Sequence, residues 1–245
     1  MTHLLPPVER AARVALKLRT VLRFLRTEIF SSRQVLQELL GLSQDATLTT
    51  MAGYERQGLV LRGVVLKDGV LRHLYGITLD GQMAALDEGE DFIDRWFRPS
   101  SVGVSTLNHT LHLQMARVRA ERAGWTNWRN ASSLGKIIAS DPFPDALVDD
   151  PSGECFAVEM ELTTKSSARY EQILYARMVA VKARKFDCVV WIGYDATHAA
   201  ALERRIRAIT TINVLFNGQR KDISIIPEQH HSRLHFVEFE KWPSV

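Results

Sequence analysis

Three carboxylates and a lysine stand where a predicted fold could bring their side chains together. Glu159, Glu161 and Lys165 share one short stretch, and Asp145 stands a little upstream. Carboxylate oxygens are the ligands that Mg²⁺ prefers, and a nearby ammonium group can stabilise the charge that develops on a phosphate during hydrolysis. These residue types indicate a charged site in which carboxylates and an ammonium group lie together.

Two neighbouring strands are expected to hold these groups. The segment with Asp145 and the segment 155–163 are rich in β-forming residues, and the Asp-Asp-Pro-Ser-Gly turn between them favours antiparallel pairing. Because strand side chains alternate between faces, Glu159 and Glu161 lie on the same face, where Lys165 can join them. Ordinary glutamates on a solvent-facing strand are the alternative interpretation.

The pattern Pro144-Asp145 followed by Glu159-Met160-Glu161-Leu162-Thr163-Thr164-Lys165 resembles that of the PD-(D/E)xK nucleases. The resemblance implies that Asp145 and a glutamate bind Mg²⁺ or Mn²⁺, while the lysine orients water or stabilises the transition state. If Glu159 is the ligand, Glu161 occupies the lysine position. If Glu161 is the ligand, Thr163 occupies the lysine position of the pattern, and Lys165 must reach back to the site from four residues away. We favour Glu161 with Lys165 and expect Glu159 to be a second ligand or base.

The remainder of the second half alternates predicted helices and strands. Helical patterns cover 106–122, 166–185 and 199–209, and further strands are predicted at 188–192, 223–226 and 234–239. This order predicts a mixed sheet flanked by helices, a restriction-endonuclease-like α/β sandwich. With the first half, the expected fold class is α+β.

The first half predicts a winged helix-turn-helix. Helical segments at 10–30, 35–40 and 43–57 are followed by β-rich runs at 59–66 and 70–78, joined by Lys67-Asp68-Gly69. Such a domain usually places its third helix in the major groove of double-stranded DNA. Dimerisation or protein docking is the alternative use of the same fold.

The expected DNA contacts fall into two groups, polar side chains for base edges and basic side chains for phosphates. The first group is Gln44, Thr47, Thr49 and Thr50, and the second is Arg33, Arg62 and Arg72. The formal net charge of +3 does not by itself indicate nucleic-acid binding. Basic residues are concentrated in the first helix, which favours DNA contact or a solvated helix face.

A chain of 245 residues with 46% hydrophobic residues can form two globular domains. A turn-rich stretch places the boundary near residue 100, so we expect a DNA-binding domain over 1–95 and a nuclease-like domain over 104–245. Only two cysteines, Cys155 and Cys188, are present, which excludes a cysteine-rich zinc site. Without a bilayer-length apolar run or a signal-peptide pattern, the expected location is cytoplasmic, with no membrane insertion.

Further segments carry a second resemblance: residues 74–81, Asn108-His109, and residues 159–166 with Arg169-Tyr170 downstream. Behind a winged helix, they resemble the replication-relaxation family, which includes MobC-type plasmid mobilisation proteins. The resemblance implies relaxase-like, metal-dependent nicking at a plasmid or mobile-element transfer or replication origin, as in conjugation, with mobilisation or replication proteins as partners. It also marks His109 as a catalytic candidate and Tyr170 as the downstream aromatic, although the spacing of Tyr170 favours packing.

Two functions of different classes follow. The first is an origin-directed, metal-dependent DNA endonuclease, to which a transposon-end endonuclease would be closely similar. The second is a non-catalytic DNA-binding accessory or regulatory protein whose nuclease-like domain serves for docking. The two functions are distinguished by whether Asp145, Glu159, Glu161 and Lys165 lie close together in the fold.

Overall fold

The computed structural model describes residues 6–131, 143–216 and 219–245. The chain is an α+β protein that divides into two compact units, 1–118 and 119–245. Residues 1–5, 132–142 and 217–218, which the expected domains include, lie outside the described residues. The division falls later than the expected boundary near residue 100, because the helix that begins at Leu107 packs in the first unit. Leu107 is buried there with Val65 and Phe97.

The first unit contains a three-stranded antiparallel sheet and the helices around it. Its elements are α1 (Pro7–Glu28), β1 (Phe30–Ser32), α2 (Arg33–Leu40), α3 (Gln44–Arg56), β2 (Val60–Lys67), β3 (Val70–Ile77), α4 (Leu79–Ala84) and the start of α5 (Leu107–Arg122). The strand order is β1-β3-β2. The predicted helices and hairpin are present, whereas β1 was missed because its three residues were interpreted as helix ends.

Local chemistry explains these boundaries. Ser32 and Ser43 accept hydrogen bonds from backbone N–H groups in the first turns of α2 and α3, so each serine caps its helix. Asp68 and Gly69 both have positive φ, 51° and 74°, as the tight turn between β2 and β3 requires. The predicted hairpin turn is therefore confirmed.

Acidic residues after α4 neutralise part of the basic first helix. Arg19 and Arg23 both contact Asp87, at 3.1 and 2.9 Å, and Arg23 also contacts Glu90 at 2.7 Å. Arg26 donates to the backbone carbonyl of Asp91. The segment that the sequence indicated as a connector thus lies along α1, and the basic charge of the last turns of that helix is paired internally.

The second unit is built on a five-stranded mixed sheet. Its elements are β4 (Thr126–Asn130), β5 (Ala146–Asp149), β6 (Cys155–Glu161), α6 (Ser167–Lys182), β7 (Cys188–Gly193), α7 (Ala196–Arg207), β8 (Thr211–Phe216), β9 (Gln219–Ser224), α8 (Pro227–His230) and β10 (Leu234–Glu238). The sheet order is β10-β7-β6-β5-β4. β5 and β6 are antiparallel, as expected, and β6, β7 and β10 are parallel.

Three strands differ from expectation, since β8, like β4, was not predicted. β4 was not predicted, because its polar sequence lacks an alternating pattern, and it forms the sheet edge beside β5. The strand expected near 223–226 belongs instead to β9, which pairs with β8 in a separate two-stranded sheet. The mixed character of the main sheet is nevertheless as predicted.

Helices α6 and α7 cover one face of the sheet. Leu147, Ala157 and Trp191 from three adjacent strands form a core with side chains of both helices, including Leu174 and Leu202. Glu159 has the same strand parity as Ala157 and therefore points toward the helices. The interpretation of ordinary solvent-facing glutamates is wrong, because Glu159 and Glu161 are both buried. Among the described helices, none has the length and apolarity that a membrane crossing requires.

Candidate functional site

Asp145 lies at the end of β6 that carries the two glutamates. Ala146 pairs with Val158, and the next step of that register brings Asp145 level with Glu159. The Asp145 N–H donates to the Val158 carbonyl at 3.0 Å. Its Oδ2 accepts from the Met160 N–H at 2.8 Å. Antiparallel pairing, which the turn predicted, is thus what brings the aspartate to the glutamates.

Glu159 forms a buried ion pair with Arg177 of α6. Glu159 is 7% exposed and Arg177 1% exposed, and the Arg177 Nε donates to Glu159 Oε1. Loss of water contact on burial raises the pKa of Glu159 to about 7, in spite of the opposing charge of Arg177, and Asp145 adds to the rise. This carboxyl group therefore exchanges a proton near neutral pH.

Glu161 forms a second ion pair, with Lys165. The Lys165 Nζ donates to both carboxylate oxygens of Glu161. Glu161 is almost fully buried, whereas the lysine side chain is 36% exposed. Burial raises the pKa of Glu161, the lysine lowers it, and Asp145 raises it further. The expected reach of Lys165 back to Glu161 is therefore present, and its ammonium group borders solvent.

The start of α7 lies against the same strand end. Glu161 pairs with Gly193, and a Cβ on that glycine would stand 2.6 Å from the Ala199 backbone nitrogen. Because of this close approach, the neighbouring His198 lies near Glu161, and its charge lowers the pKa of Glu161. Among the described residues, His198 Nε2 and Trp191 Nε1 are buried without a hydrogen-bond partner. The site thus holds two unsatisfied nitrogen atoms.

Tyr170 anchors the loop that carries Lys165. Its hydroxyl accepts from the Lys165 N–H at 3.0 Å, and its ring lies 6.0 Å from that of Trp191. The residue is fully buried, and burial raises the pKa of its hydroxyl. Arg205 donates to the Lys165 carbonyl at 3.0 Å. These contacts favour the packing interpretation of Tyr170.

The donor chemistry determines which metal the residues could hold. In the described ranges, 6–131, 143–216 and 219–245, no group of three or more His, Cys, Asp or Glu residues is placed to hold a metal ion. Mg²⁺ needs fewer protein ligands, since it is usually bound by one or two carboxylates together with waters and substrate phosphates. Asp145 and Glu161 fit that smaller requirement. Glu159, which we expected as a second ligand or base, is engaged by Arg177, as Glu161 is by Lys165.

Arg177 and His198 were not predicted from the sequence. For Arg177 a signal was present, because Tyr170, Ile173, Leu174 and Arg177 follow the spacing of one buried helical face. A cation on such a face indicates a buried acidic partner. For His198 the sequence contains no comparable signal. His109, expected as a catalytic residue, lies on α5 within the first unit, whereas the carboxylates lie in the second.

The expected DNA-contacting residues are not equally accessible. Thr47 is fully buried and its hydroxyl donates to the Ser43 carbonyl at 2.8 Å, so its expected contact with a base edge is wrong. The Thr50 hydroxyl is bonded to the Ala46 carbonyl at 2.7 Å. Gln44 and Thr49 are exposed.

The three arginines expected at phosphates also differ. Arg33 is half-buried at the start of α2. Arg62 and Arg72 are exposed on the hairpin, but Arg62 pairs with Tyr75 and Arg72 with Val65, which places the two arginines on opposite faces of the two strands. The Arg62 guanidinium also lies 3.3 Å from His73 Nδ1.

Glu159 should make the stability of the second unit pH-dependent. Because its pKa rises from 4.5 when unfolded to about 7 when folded, the folded state binds the proton more tightly between those values. The stabilisation is complete below pH 4.5 and is lost as pH rises through 7, by up to about 3 kcal/mol. Urea unfolding of wild type and Glu159→Gln from pH 4 to 8 checks this, since the other carboxyl groups are common to both. A constant difference between the two proteins would contradict it.

Comparison with protein-family models, curated proteins and solved structures gave no match to this chain. The resemblance to the replication-relaxation family therefore stays a prediction, carried by the residues quoted above.

Proposed function

We propose that the protein is a DNA-binding, Mg²⁺-dependent DNA endonuclease, nicking DNA at a plasmid or mobile-element transfer or replication origin. The observation that carries this proposal is the position of Asp145, Glu161 and Lys165 at one end of β6, where the lysine borders solvent. Two carboxylates beside an ammonium group are the set that metal-assisted phosphodiester hydrolysis uses.

The reaction is the hydrolysis of one phosphodiester bond of the DNA backbone. The water oxygen forms a bond to phosphorus, one P–O ester bond breaks, and the proton lost by water is balanced by one gained by the leaving oxygen. When bound, Mg²⁺ supplies positive charge to the phosphate and a more acidic water. Asp145 and Glu161 would hold it, and Lys165 contributes positive charge to the phosphate oxygens.

The neighbouring groups keep these residues in place. Tyr170 and Arg205 hold the backbone of Lys165 from both sides through its N–H and its carbonyl. Arg177 of α6 donates a hydrogen bond to Glu159, so this carboxylate is not a free ligand for a metal ion. We assign Arg177 as a positioning residue, which keeps a third carboxylate next to Asp145 and Glu161 without three unpaired negative charges.

The first unit would supply DNA binding as a winged helix. Its order of helix, strand, two helices and hairpin, with β1 antiparallel to β3, supports this assignment. Gln44 and Thr49 on α3 are exposed and could reach base edges, and Arg62 and Arg72 could contact phosphates. Double-stranded DNA is therefore the proposed partner.

One observation favours the non-catalytic accessory function instead. Glu159 and Glu161 are each ion-paired, and the described part of the chain contains no three-ligand metal group. A degenerate nuclease domain could retain such pairs simply for stability.

Plasmid relaxation tests the proposal against this alternative. Purified full-length protein is incubated with supercoiled plasmid carrying a candidate origin, with Mg²⁺, with Mn²⁺, and with a chelator. The endonuclease converts supercoiled plasmid to open circles only when metal is present. Binding of the plasmid without nicking under either metal favours the accessory function.

DNA binding by the first unit has its own test. Reversing Arg62 and Arg72 to Glu should weaken binding and reduce the slope of log Kd against log salt by roughly 0.9 for each lost phosphate contact. Titrations of a fluorescent duplex at several salt concentrations measure this. Since the two side chains lie on opposite faces, single variants reveal which face approaches DNA. Unchanged affinity and slope in the double variant would indicate a protein-docking domain.

A further inference from the structure

The groove between the start of α6 and the end of α7 lies directly beside the candidate site. It has a volume of about 590 Å³ and is lined by residues that include Ser167, Glu171, Arg204, Arg205 and Thr211. Ser167 is two positions from Lys165, and Arg205 is bonded to the Lys165 carbonyl. An extended ligand bound in this groove would therefore reach the residues that are proposed to act on the phosphodiester. We call it the arginine groove.

The lining of the arginine groove suits a phosphate backbone. Arg204 and Arg205 are exposed, and the hydroxyl groups of Ser167 and Thr211 add neutral hydrogen-bond donors. Glu171 is the acidic residue in the lining, so the two arginines leave a net positive charge. Planar guanidinium groups bind phosphate oxygens through two parallel hydrogen bonds.

Arg204 also lines the surface next to the groove along α7, where Glu203 offsets the charge of Arg207. A second depression of about 740 Å³ shares Arg204 with the first and also contains Arg207. Arg207 is partly committed, because it is bonded to Glu203 and to two backbone carbonyl groups. Arg204 thus stands between two adjoining depressions, an arrangement that fits an extended polyanion better than a small anion.

We propose that the arginine groove binds the phosphate backbone of the DNA strand whose neighbouring phosphodiester lies at Asp145, Glu161 and Lys165. This inference rests on the proposed function for its substrate, and it assigns to the second unit a DNA contact separate from that of α3 and the hairpin. Arg204 is the residue through which the contact is best tested, since Arg205 also supports the loop of Lys165.

Site-directed cross-linking tests the groove without relying on cleavage. Ala208 lines the groove at the C-terminal end of α7, and Ala183 occupies the equivalent C-cap position of α6. Since the first turn of α6 borders the groove and the helix has 16 residues, Ala183 stands about 24 Å away along the axis. Each alanine is replaced by cysteine and labelled with a benzophenone maleimide. Burial raises the pKa of Cys155 to about 12 and of Cys188 to about 11, so the native thiols react slowly at neutral pH.

We expect full-length protein labelled at Ala208→Cys to cross-link duplex DNA several-fold more than protein labelled at Ala183→Cys. Adding Arg204→Glu should lower the Ala208→Cys yield, and the fold-decrease should be about threefold larger at 50 mM than at 200 mM salt, because the contribution of a phosphate contact shrinks as salt rises. Arg184→Glu, near the far end of α6, is the matched control and should leave the yield unchanged.

The outcomes separate this inference from the proposed function. Cross-linking at Ala208→Cys without metal-dependent nicking supports the groove and overturns the endonuclease. Nicking with equal yields at both labels supports the endonuclease and overturns the groove. Preferential cross-linking to single-stranded RNA, or displacement by an acidic peptide but not by duplex DNA, would also overturn the assignment to DNA.

Discussion

Replacing Asp145 with Asn, or Glu161 with Gln, is expected to lower metal-dependent nicking of supercoiled plasmid by about 10²- to 10³-fold. Each change keeps the size of the side chain and removes the negative charge that would hold the cation. The Asp145→Asn change would also remove a charge-assisted acceptor for the Met160 N–H. DNA affinity should stay close to that of wild type, because the proposed α3 and hairpin contacts belong to the other unit.

A matched control stands at the other end of the same strand. Glu154 immediately precedes β6, whereas Glu161 is its last residue, so the two are about 23 Å apart along the strand. Glu154→Gln should therefore nick DNA at the wild-type rate. Circular dichroism and the mid-point of urea unfolding verify that each variant is folded. Full nicking activity in the folded Asp145→Asn and Glu161→Gln variants would refute the proposed site, because the nicking would then not depend on these carboxylates.

Local sequence patterns were sufficient for the strand pair that carries the site. The turn before Cys155 predicted antiparallel pairing, and strand alternation placed Glu159 and Glu161 on one face. Both inferences depend only on residues close in sequence, where turn chemistry and a two-residue period apply. The same is true of the Asp68-Gly69 hairpin, whose positive φ angles were anticipated.

Features that depend on distant parts of the chain were not predictable in this way. Arg177 reaches Glu159 only because α6 crosses that face of the sheet, and His198 approaches only because Gly193 admits the start of α7. Likewise, Gln114 of α5 accepts a hydrogen bond from Ser31, which helps to place that helix in the first unit. Nothing in the local sequence of α5 indicates this partner.

Thr47 illustrates the limit of helical patterns. A polar residue on α3 was expected to face DNA, yet its hydroxyl is satisfied by the carbonyl four residues earlier, which allows the side chain to be buried. Only the orientation of α3 against the core separates Thr47 from the exposed Thr49.

Removing the positive charge of Arg177 should destabilise the second unit strongly. Arg177→Met retains much of the apolar volume but removes the charge that opposes the rise in the pKa of Glu159, so at pH 8 this buried carboxyl group must either stay ionised without its partner or take up a proton from solvent. Such a change costs about 3–5 kcal/mol in the free energy of unfolding at pH 8. Urea unfolding followed by circular dichroism measures the loss, and Arg184→Met, an exposed arginine just after α6, is the control that should change stability little.

Two further measurements separate charge from packing. At pH 5 Glu159 is protonated in the folded state, since its pKa is already raised by burial and loses the opposing effect of Arg177 in the variant. The penalty of Arg177→Met should therefore be smaller at pH 5 than at pH 8. The double variant Glu159→Gln with Arg177→Met should recover most of the stability at pH 8, because no buried charge is left unpaired. A penalty that is equal at both pH values and persists in the double variant would mean that Arg177 acts through packing, and that the carboxylate cluster does not depend on it for charge balance.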